Sequence, residues 1–426
     1  MRTAQDSDIR DALAVLAEEH HGANVGDPPS IHPFPARMPV PLAEYLLSAL
    51  VPMHANVLDP MAGSGSTLVA ARKLGHTGHG VDVDPLAVLM SRSATASYQR
   101  HRLDGLGARV LRRAEGIRAD LPRTSVPKML GSSEEEKRFI TYWFPNNAQR
   151  QLYCLRQAIR KESERALRNV AWTAFSSLII AKATSVSYAI DIPRSRPHKD
   201  EDREIDSPFA LWNRRFTQLV NRLPFLDKDT ETAEPSIEHG DARHLRQASD
   251  SLDLVLTSPP YLNAIDYIRG HKFSLMWMGH ALSSLRKTRS SMIGCERGMW
   301  KPDGLPPSVE QDLTEAIDEE RIRAITRRYL SDLRYSILEM KRVVRPGGLI
   351  AVVLGPSILD REQSDSIEIT RRLTKSANLR FVAGVLRPLK KARRSLPPPD
   401  SVSKKSELAT RMSCEAIVVL RKKNSE

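Results

Sequence analysis

The stretch from residue 56 to residue 67 reads NVLDPMAGSGST and decides the fold. Its apolar start predicts a short β-strand, its glycine-rich run predicts a turn, and a helix is expected from about Ser66. A second strand is predicted over 78–83, where the chain reads GHGVDV, and another helix from about Pro85. Strand, helix and strand in this order predict a βαβ unit that opens a doubly wound α/β sheet.

The glycine turn and the acidic end of the second strand together predict a nucleoside cofactor. Glycines let a backbone approach a ligand closely, and the start of a helix offers unpaired N–H groups. Asp82 follows the turn by about twenty residues, at the place where ribose hydroxyls bind in such sheets. The turn lacks a phosphate-binding pattern, and Asp59 would repel a phosphate, so S-adenosylmethionine fits better than a dinucleotide. Asp84 is expected to cap the helix at Pro85.

A second informative stretch reads TSPPY over 257–261 and follows the apolar residues 252–256. A strand that ends in this way forms a rigid lip, because both prolines fix φ and lack an N–H donor. The neighbouring carbonyl groups therefore stay free to accept hydrogen bonds, and Tyr261 offers a flat face for stacking. These properties suit a planar base that is held by its exocyclic amino group.

The order of these segments resembles that of the S-adenosylmethionine-dependent DNA amino-methyltransferases, the N4-cytosine and N6-adenine family of the Ser-Pro-Pro-Tyr type. The shared segments are the glycine turn, the acidic strand end, GDA at 240–242, the lip and RPGG at 345–348. HPFPAR at 32–37 is similar to the N-terminal cofactor segment of that family. The resemblance covers roughly residues 30–100 and 237–420. It implies an α/β fold, a Rossmann-like class I methyltransferase sheet with a mostly helical insert.

The resemblance also implies a set of site residues. The cofactor-binding residues would be Phe34, Pro35, Asp59, Pro60, Ala62, Gly63, Ser64, Gly65, Thr67, Asp82 and Asp241. Among them, Asp59 and the glycines would bind the methionine end, Asp82 the ribose and Asp241 the adenine amino group. A turn-capping aspartate is the alternative for Asp241. The catalytic residues would be Ser258, Pro259, Pro260 and Tyr261.

Ser258 at the head of the lip favours one target atom, the exocyclic N4 amine of cytosine in a flipped-out base. Serine is more usual here in the N4-cytosine branch, whereas aspartate is commoner among N6-adenine enzymes. Carbon-5 methylation is excluded, because the chain has Pro-Pro where a nucleophilic Pro-Cys would stand. The alternatives are N6-adenine methylation, RNA amino-methylation and a DNA-binding subunit without turnover.

The charge of the chain favours a polyanionic partner, which we expect to be double-stranded DNA. The formal net charge is +13 and the sequence pI is about 9.7. Lysine and arginine bind DNA by neutralising phosphates and releasing counterions. The candidate DNA-contacting residues are Arg269, His271, Lys272, Arg194, Arg196, Lys390, Lys391, Arg393 and Arg394. For each charged run, a solvated face without a partner is the alternative, and for 266–272 it is an ordinary helix start.

We divide the chain into three parts. Residues 1–100 form an N-terminal segment and the cofactor-binding half, and 101–232 form a helical insert that is a candidate target-recognition element. Residues 233–426 form the catalytic half, with a candidate DNA-contact insert at 262–330. A polar, basic-rich loop is predicted over 193–206, and a tight turn over 345–348 before a strand at 349–354.

The remaining features indicate a cytoplasmic protein with reduced thiols. Cys154, Cys295 and Cys414 lie far apart without zinc-type spacing, so no metal is expected. No apolar run reaches the eighteen residues of a membrane span, and the charged start of the chain is no signal peptide. A restriction endonuclease or defence-system protein would be a separate partner. The recognition sequence, the oligomeric state and the choice among restriction–modification, phage defence and regulation stay open.

Overall fold

A computed structural model describes residues 3–18, 30–33, 37–182, 184–192, 197–224, 233–261, 266–295, 305–315, 317, 319–355, 357–359, 362–364, 366–375, 377–389 and 414–424. The helices are α1 Asp6–Glu18, α2 Val40–Leu50, α3 Ser66–Lys73, α4 Pro85–Thr95, α5 Arg100–Asp104, α6 Leu106–Ala119, α7 Val126–Met129, α8 Glu134–Trp143, α9 Asn146–Arg160, α10 Arg165–Ile180, α11 Pro208–Val220, α12 Tyr267–Met278, α13 Leu282–Ser291, α14 Pro307–Thr314, α15 Glu320–Val343 and α16 Ser366–Lys375. The strands are β1 Asn56–Asp59, β2 Thr77–Asp82, β3 Ala189–Ile190, β4 His198–Lys199, β5 Ser236–His239, β6 Leu252–Thr257, β7 Val344–Leu354, β8 Ser357–Leu359, β9 Glu362–Ser364, β10 Leu379–Pro388 and β11 Cys414–Lys422. None of these helices is long and apolar enough to cross a membrane.

Seven strands form one sheet in the order β10-β11-β7-β6-β1-β2-β5. Neighbouring strands from β7 to β5 are parallel, and β11 runs antiparallel to both β7 and β10. This order confirms the predicted Rossmann-like class I methyltransferase sheet. The chain order reverses between β1 and β6, so these two strands flank the topological switch point. Ligands of open α/β sheets bind outside the carboxyl ends of the strands at such a point.

Helices cover both faces of the sheet, which explains why the central strands are continuous apolar runs rather than alternating ones. Along β7, Leu349, Ala351 and Val353 pack into the core that contains the insert helices. The intervening side chains of β7 pack instead with α15 and α16. The insert and one face of the sheet therefore share a continuous core.

The insert is mostly helical in the part that the structure describes, as predicted. The loop expected over 193–206 is corrected in one respect, because β4 lies within it and pairs with β3. Residues 193–196 lie outside the described part of the chain. The role of the insert in target recognition stays a prediction.

The tight turn predicted at 345–348 is corrected in its position, because these residues lie within the bounds of β7 rather than before the strand. Val344 already pairs with Leu252, and pairing resumes between Leu349 and Leu254 after an irregularity in the register. The chain thus bulges within the sheet. Gly347 has φ +73, a left-handed value that favours glycine.

Candidate functional site

The glycine turn lies at the carboxyl end of β1, where the sequence places it. Gly63 and Gly65 have φ values of +51 and +83, which a side chain would strain. Gly65 also lies so close to α4 that a Cβ there would meet the Ser91 Cα at 3.0 Å. No side chain caps the start of α3 after Gly65. The N–H groups there suit the carboxylate of a ligand.

Asp59 ends β1 and lies almost fully buried, with 4% of its surface exposed. Its Oδ1 accepts hydrogen bonds from the Met61 N–H at 3.1 Å and from the Thr257 hydroxyl at 2.7 Å. Burial raises the pKa of Asp59, although these donors oppose the rise. The carboxylate is therefore held in one orientation beside the end of β6.

Asp82 ends β2 and braces the glycine turn. Its Oδ2 accepts from the Gly63 N–H at 2.8 Å, and its Oδ1 accepts from the Asp84 N–H at 2.9 Å. Burial, then the nearby Asp84 and, less strongly, Asp59, raises the pKa of Asp82 to about 7. Two carboxylates that end adjacent parallel strands thus share one edge of the sheet.

Asp84 caps α4, as the sequence predicts, by accepting a hydrogen bond from the Leu86 N–H at 2.9 Å. Its other oxygen lies 2.5 Å from the His271 Nδ1, and both side chains are buried. The prediction that His271 contacts DNA is therefore wrong for this structure. The imidazole is buried in the interior of the protein, because the position of His271 on α12 directs its ring toward the N-terminus of α4.

A chain of polar contacts continues inward from His271. Ser274 donates to the His271 carbonyl oxygen at 3.1 Å and accepts from the Ser176 hydroxyl at 2.8 Å. Ser176 in turn lies 3.0 Å from the His32 Nε2, in the segment that resembles the family's N-terminal cofactor segment. Helices α10 and α12 thus connect that segment to Asp84. Sequence reasoning missed this network because its members are far apart in the chain.

Asp241 lies beyond β5, which neighbours β2, and the Gly240 N–H donates to the Asp82 carbonyl oxygen at 3.0 Å. Its carboxylate accepts from the Arg243 N–H at 2.9 Å and from the guanidinium of Arg243 at 2.6 Å. Burial acts to raise the pKa of Asp241, but the Arg243 hydrogen bonds outweigh it and the pKa is lowered. The contacts of the Asp241 carboxylate are thus those of the turn-capping alternative. Binding of the cofactor's adenine amino group by Asp241 stays a prediction.

The lip follows directly from β6. Ser258 Oγ and the Tyr261 hydroxyl lie 3.5 Å apart. Burial raises the pKa of Tyr261 above its ordinary value, and the nearby Glu415 adds to the effect. The Tyr261 hydroxyl is therefore neutral at ordinary pH. Residues 262–265 lie outside the described part of the chain.

Tyr267 is a site residue that the sequence did not single out. Burial raises its pKa, and the next causes are the carboxylates of Asp82 and Asp84. Its ring also lies near His271, with 6.1 Å between the ring centroids. The only sequence signal was its position soon after the lip.

Of the other candidate DNA contacts, the structure describes only Arg269 and Lys272. Arg269 pairs with Asp266, the N-cap of α12, at 3.1 Å, so 266–272 is mainly a helix start. The Lys272 ammonium lies over the rings of Phe139 and Phe273. Outside the described residues lie the predicted Phe34, Pro35, Arg194, Arg196, Lys390, Lys391, Arg393 and Arg394.

Residues 7–92 match the family described as DNA methylase. The matched segment contains the glycine turn, Asp59 and Asp82, the residues that sit at the carboxyl ends of β1 and β2. The predicted resemblance to S-adenosylmethionine-dependent DNA amino-methyltransferases is confirmed, and S-adenosylmethionine is the cofactor of this family.

Two curated methyltransferases are similar to this chain over longer stretches. It is 23% identical to the Type II methyltransferase M.BsoBI of Geobacillus stearothermophilus over 258 residues, which cover 56% of this chain and 50% of that protein. It is 22% identical to the Type II methyltransferase M.MvaI of Kocuria varians over 342 residues, which cover 74% of each chain. The match to M.BsoBI thus spans half the length of that protein.

Two solved structures also align with the chain. A TehB-like SAM-dependent methyltransferase from Corynebacterium glutamicum is 9% identical and has a TM-score of 0.30, with 89% of this chain and 87% of that chain covered. The YcgJ protein from Bacillus subtilis is 10% identical and has a TM-score of 0.32, with 88% and 93% covered. Because both TM-scores are low, the assignment of the fold rests on the strand order.

Proposed function

We propose that this protein methylates the exocyclic N4 amine of cytosine in double-stranded DNA, after the base has left the helical stack. The observation that carries the proposal is the hydrogen bond from Thr257 to Asp59. It joins the base-holding lip to the cofactor-holding edge at the switch point of the sheet. The choice of cytosine rests on Ser258 at the head of the lip.

The residues at this edge fit the cofactor, which has an ammonium, a carboxylate and a ribose but no phosphate. Asp59 would hold the ammonium group, and the uncapped start of α3 would hold the carboxylate. Asp82 would hold the ribose hydroxyls. When bound, S-adenosylmethionine supplies an electrophilic methyl group.

The lip would orient the base by hydrogen bonds and stacking. Ser258 Oγ and the Pro259 carbonyl oxygen would accept hydrogen bonds from the exocyclic amine, which leaves the nitrogen lone pair directed at the cofactor side. Neither proline carries an N–H, so no backbone donor competes at that point. The Tyr261 ring would stack on the base. Such positioning by fixed acceptors in place of water is the main source of the rate enhancement that we expect.

A single experiment distinguishes the candidate activities. The full chain is incubated with methyl-labelled S-adenosylmethionine and either genomic DNA or total RNA, and the nucleic acid is digested to nucleosides for mass spectrometry. Label in N4-methyldeoxycytidine supports the proposal, whereas label in N6-methyldeoxyadenosine supports the adenine alternative. Label in RNA alone would indicate an RNA enzyme. No label in any nucleoside, with cofactor binding intact, would indicate a binding subunit.

The names of the two curated relatives favour a role in modification. Both are described as Type II methyltransferases. We therefore propose restriction–modification as the setting, in which a separate endonuclease cleaves the unmodified sequence. The same labelling assay on a defined plasmid, followed by sequencing that detects modified bases, would give the recognition sequence.

A further inference from the structure

An open cleft lies on α8 in the helical insert. Its lining residues are Arg138, Phe139, Thr141, Tyr142, Trp143 and Lys199, and its volume is about 640 Å³. We call it the α8 cleft. Tyr142 exposes 51% of its surface, which is high for a large aromatic residue.

The rings and cations of the α8 cleft form one ordered group. The Lys199 ammonium lies 4.3 Å from the centroid of the Tyr142 ring and 5.4 Å from that of Tyr188. Trp143 packs edge-on against Tyr142, with 4.8 Å between the centroids. The Tyr142 ring is therefore held in place from two sides while half of its surface stays open.

Each glutamate at the acidic start of α8 has a hydrogen-bond or ion-pair partner. Glu134 pairs with Lys137, and Glu135 pairs with Arg286. Glu136 closes a capping box with Ser133 and accepts from the Leu282 N–H. Arg138 is exposed, and among the residues that the structure describes it has no ion-pair partner. The cleft thus presents two cations, Arg138 and Lys199, and Lys199 also pairs with the exposed Glu201.

A cationic ridge leads from the α8 cleft toward the lip. Lys272 on α12 lies 5.6 Å from the centroid of Phe139, which lines the cleft. Arg269 and Arg289 belong to the same ridge and both pair with Asp266, while the nearby Glu135 pairs with Arg286. Since α12 begins at Tyr267, beside Asp82, this ridge connects the cleft to the candidate active site.

We infer that the α8 cleft binds the DNA strand that flanks the target base. Arg138 and Lys199 would contact phosphates, and Tyr142 would pack on an exposed base or sugar. Aromatic rings set among cations are the usual means of holding a nucleic-acid strand. The inference rests on the proposed function, because the ridge matters only if DNA reaches the lip. The net charge of +13 agrees with such a partner.

The test compares four variants of the full chain with the wild type. These are Arg138→Ala, Tyr142→Ala, Tyr142→Phe and the control Arg112→Ala, an exposed arginine on α6 that does not line the cleft. Binding to a fluorescein-labelled DNA duplex is measured by anisotropy at several salt concentrations. Methylation of the same duplex gives KM for DNA and kcat separately, and thermal unfolding checks that each variant is folded.

We expect Arg138→Ala to reduce the slope of log Kobs against log salt by about 1, as the loss of one phosphate contact does. We expect Tyr142→Ala to weaken DNA binding and raise KM by about ten-fold, while Tyr142→Phe and Arg112→Ala stay close to the wild type. The value of kcat at saturating DNA should be retained in every variant.

Two outcomes overturn the inference. One is that Arg138→Ala and Tyr142→Ala bind and methylate the duplex like the wild type. The other is that the cleft variants lose affinity for a structured RNA but not for DNA. A wild type that methylates no nucleic acid would instead overturn the proposed function, and if the cleft variants still lost DNA affinity, the binding inference would stand.

Discussion

The hydroxyl of Thr257 donates a 2.7 Å hydrogen bond to Oδ1 of Asp59. These residues are the last of β6 and the last of β1, the two strands that flank the switch point of the sheet. Both are buried. A single contact therefore couples the strand that leads into the lip to the carboxylate that we assign to the cofactor. Any shift of one strand end against the other would misalign the two halves of the site.

Thr257→Val should weaken cofactor binding with little change in the fold. Valine keeps the shape of threonine but leaves the buried Asp59 carboxylate without one of its donors, and loss of a hydrogen bond to a charged group costs about 1.5–3 kcal/mol. The pKa of Asp59, already raised by burial, should rise further because the hydroxyl lowers it. We expect about ten-fold weaker binding of S-adenosylmethionine by calorimetry. Thr257→Ser is the matched control, and equal affinity in all three proteins would contradict the coupling.

Cofactor binding should fall as the pH drops through about 7, because Asp82 becomes protonated there. The neutral carboxyl is a weaker acceptor for ribose hydroxyls and for the Gly63 N–H. Asp82→Asn should bind at least ten-fold more weakly at pH 8 and lose this pH dependence. Binding isotherms for S-adenosylmethionine, measured for both proteins between pH 5.5 and 8.5, test this prediction. Asp241→Asn is the control, since Arg243 lowers the pKa of Asp241, and a wild-type affinity that is flat across this range would exclude the role of Asp82.

The same raised pKa has an opposite consequence for stability. An acid whose folded pKa lies above its unfolded value favours folding at low pH and costs stability as the pH rises through the folded pKa. For Asp82 the cost accumulates between about pH 4 and 7 and is complete above pH 7. Asp82→Asn should therefore raise Tm at pH 8 while it lowers cofactor affinity. A lower Tm at pH 8 would show that the Gly63 and Asp84 contacts outweigh this cost.

His271→Ala should destabilise the fold without changing the salt dependence of DNA binding. The substitution leaves the buried Asp84 carboxylate without the imidazole at 2.5 Å and opens a cavity beside α4. We expect a loss of about 2–4 kcal/mol in urea unfolding. Arg269→Ala is the comparison on the same helix, since its side chain is partly exposed and should affect stability little. A stable His271→Ala protein with a reduced salt slope would restore the DNA-contact interpretation.

Tyr261→Ala should abolish methyl transfer while cofactor affinity stays nearly unchanged. The stacking surface for the base is lost, whereas Asp59 and Asp82 keep their contacts at the other half of the site. Tyr261→Phe should keep most of the activity, because the ring rather than the hydroxyl carries the stacking. Single-turnover kinetics and calorimetry separate the two effects. If Tyr261→Ala lost cofactor binding instead, the tyrosine would belong to the cofactor pocket.

Local sequence was enough for the parts of the site that follow strand ends. Asp59 and Asp82 each end a strand, and the left-handed turn between them requires glycine, so their places could be predicted. The cap of α4 could also be predicted, because Asp84 directly precedes Pro85, the first residue of the helix. These features depend on neighbours within a few residues, whose geometry the backbone dictates.

Contacts between distant residues could not be predicted in this way. His271 looked like a surface cation in a basic run, but α12 places it against Asp84. Arg243 also contacts the buried Asp332, 89 residues later in the chain, while it holds the Asp241 carboxylate. The bulge at Gly347 depends on the pairing of β7 with β6, which no local pattern reveals.

The sequence by itself determined the order of strands and helices, the glycine turn, the two acidic strand ends and the Ser-Pro-Pro-Tyr lip. Each of these is set by backbone conformation and by the spacing of apolar residues over short stretches. Only the tertiary structure decided that Thr257 meets Asp59, that His271 is buried and that Tyr142 stands open beside Lys199. The physical reason is that such contacts join residues far apart in the chain, and the packing of helices on the sheet selects them.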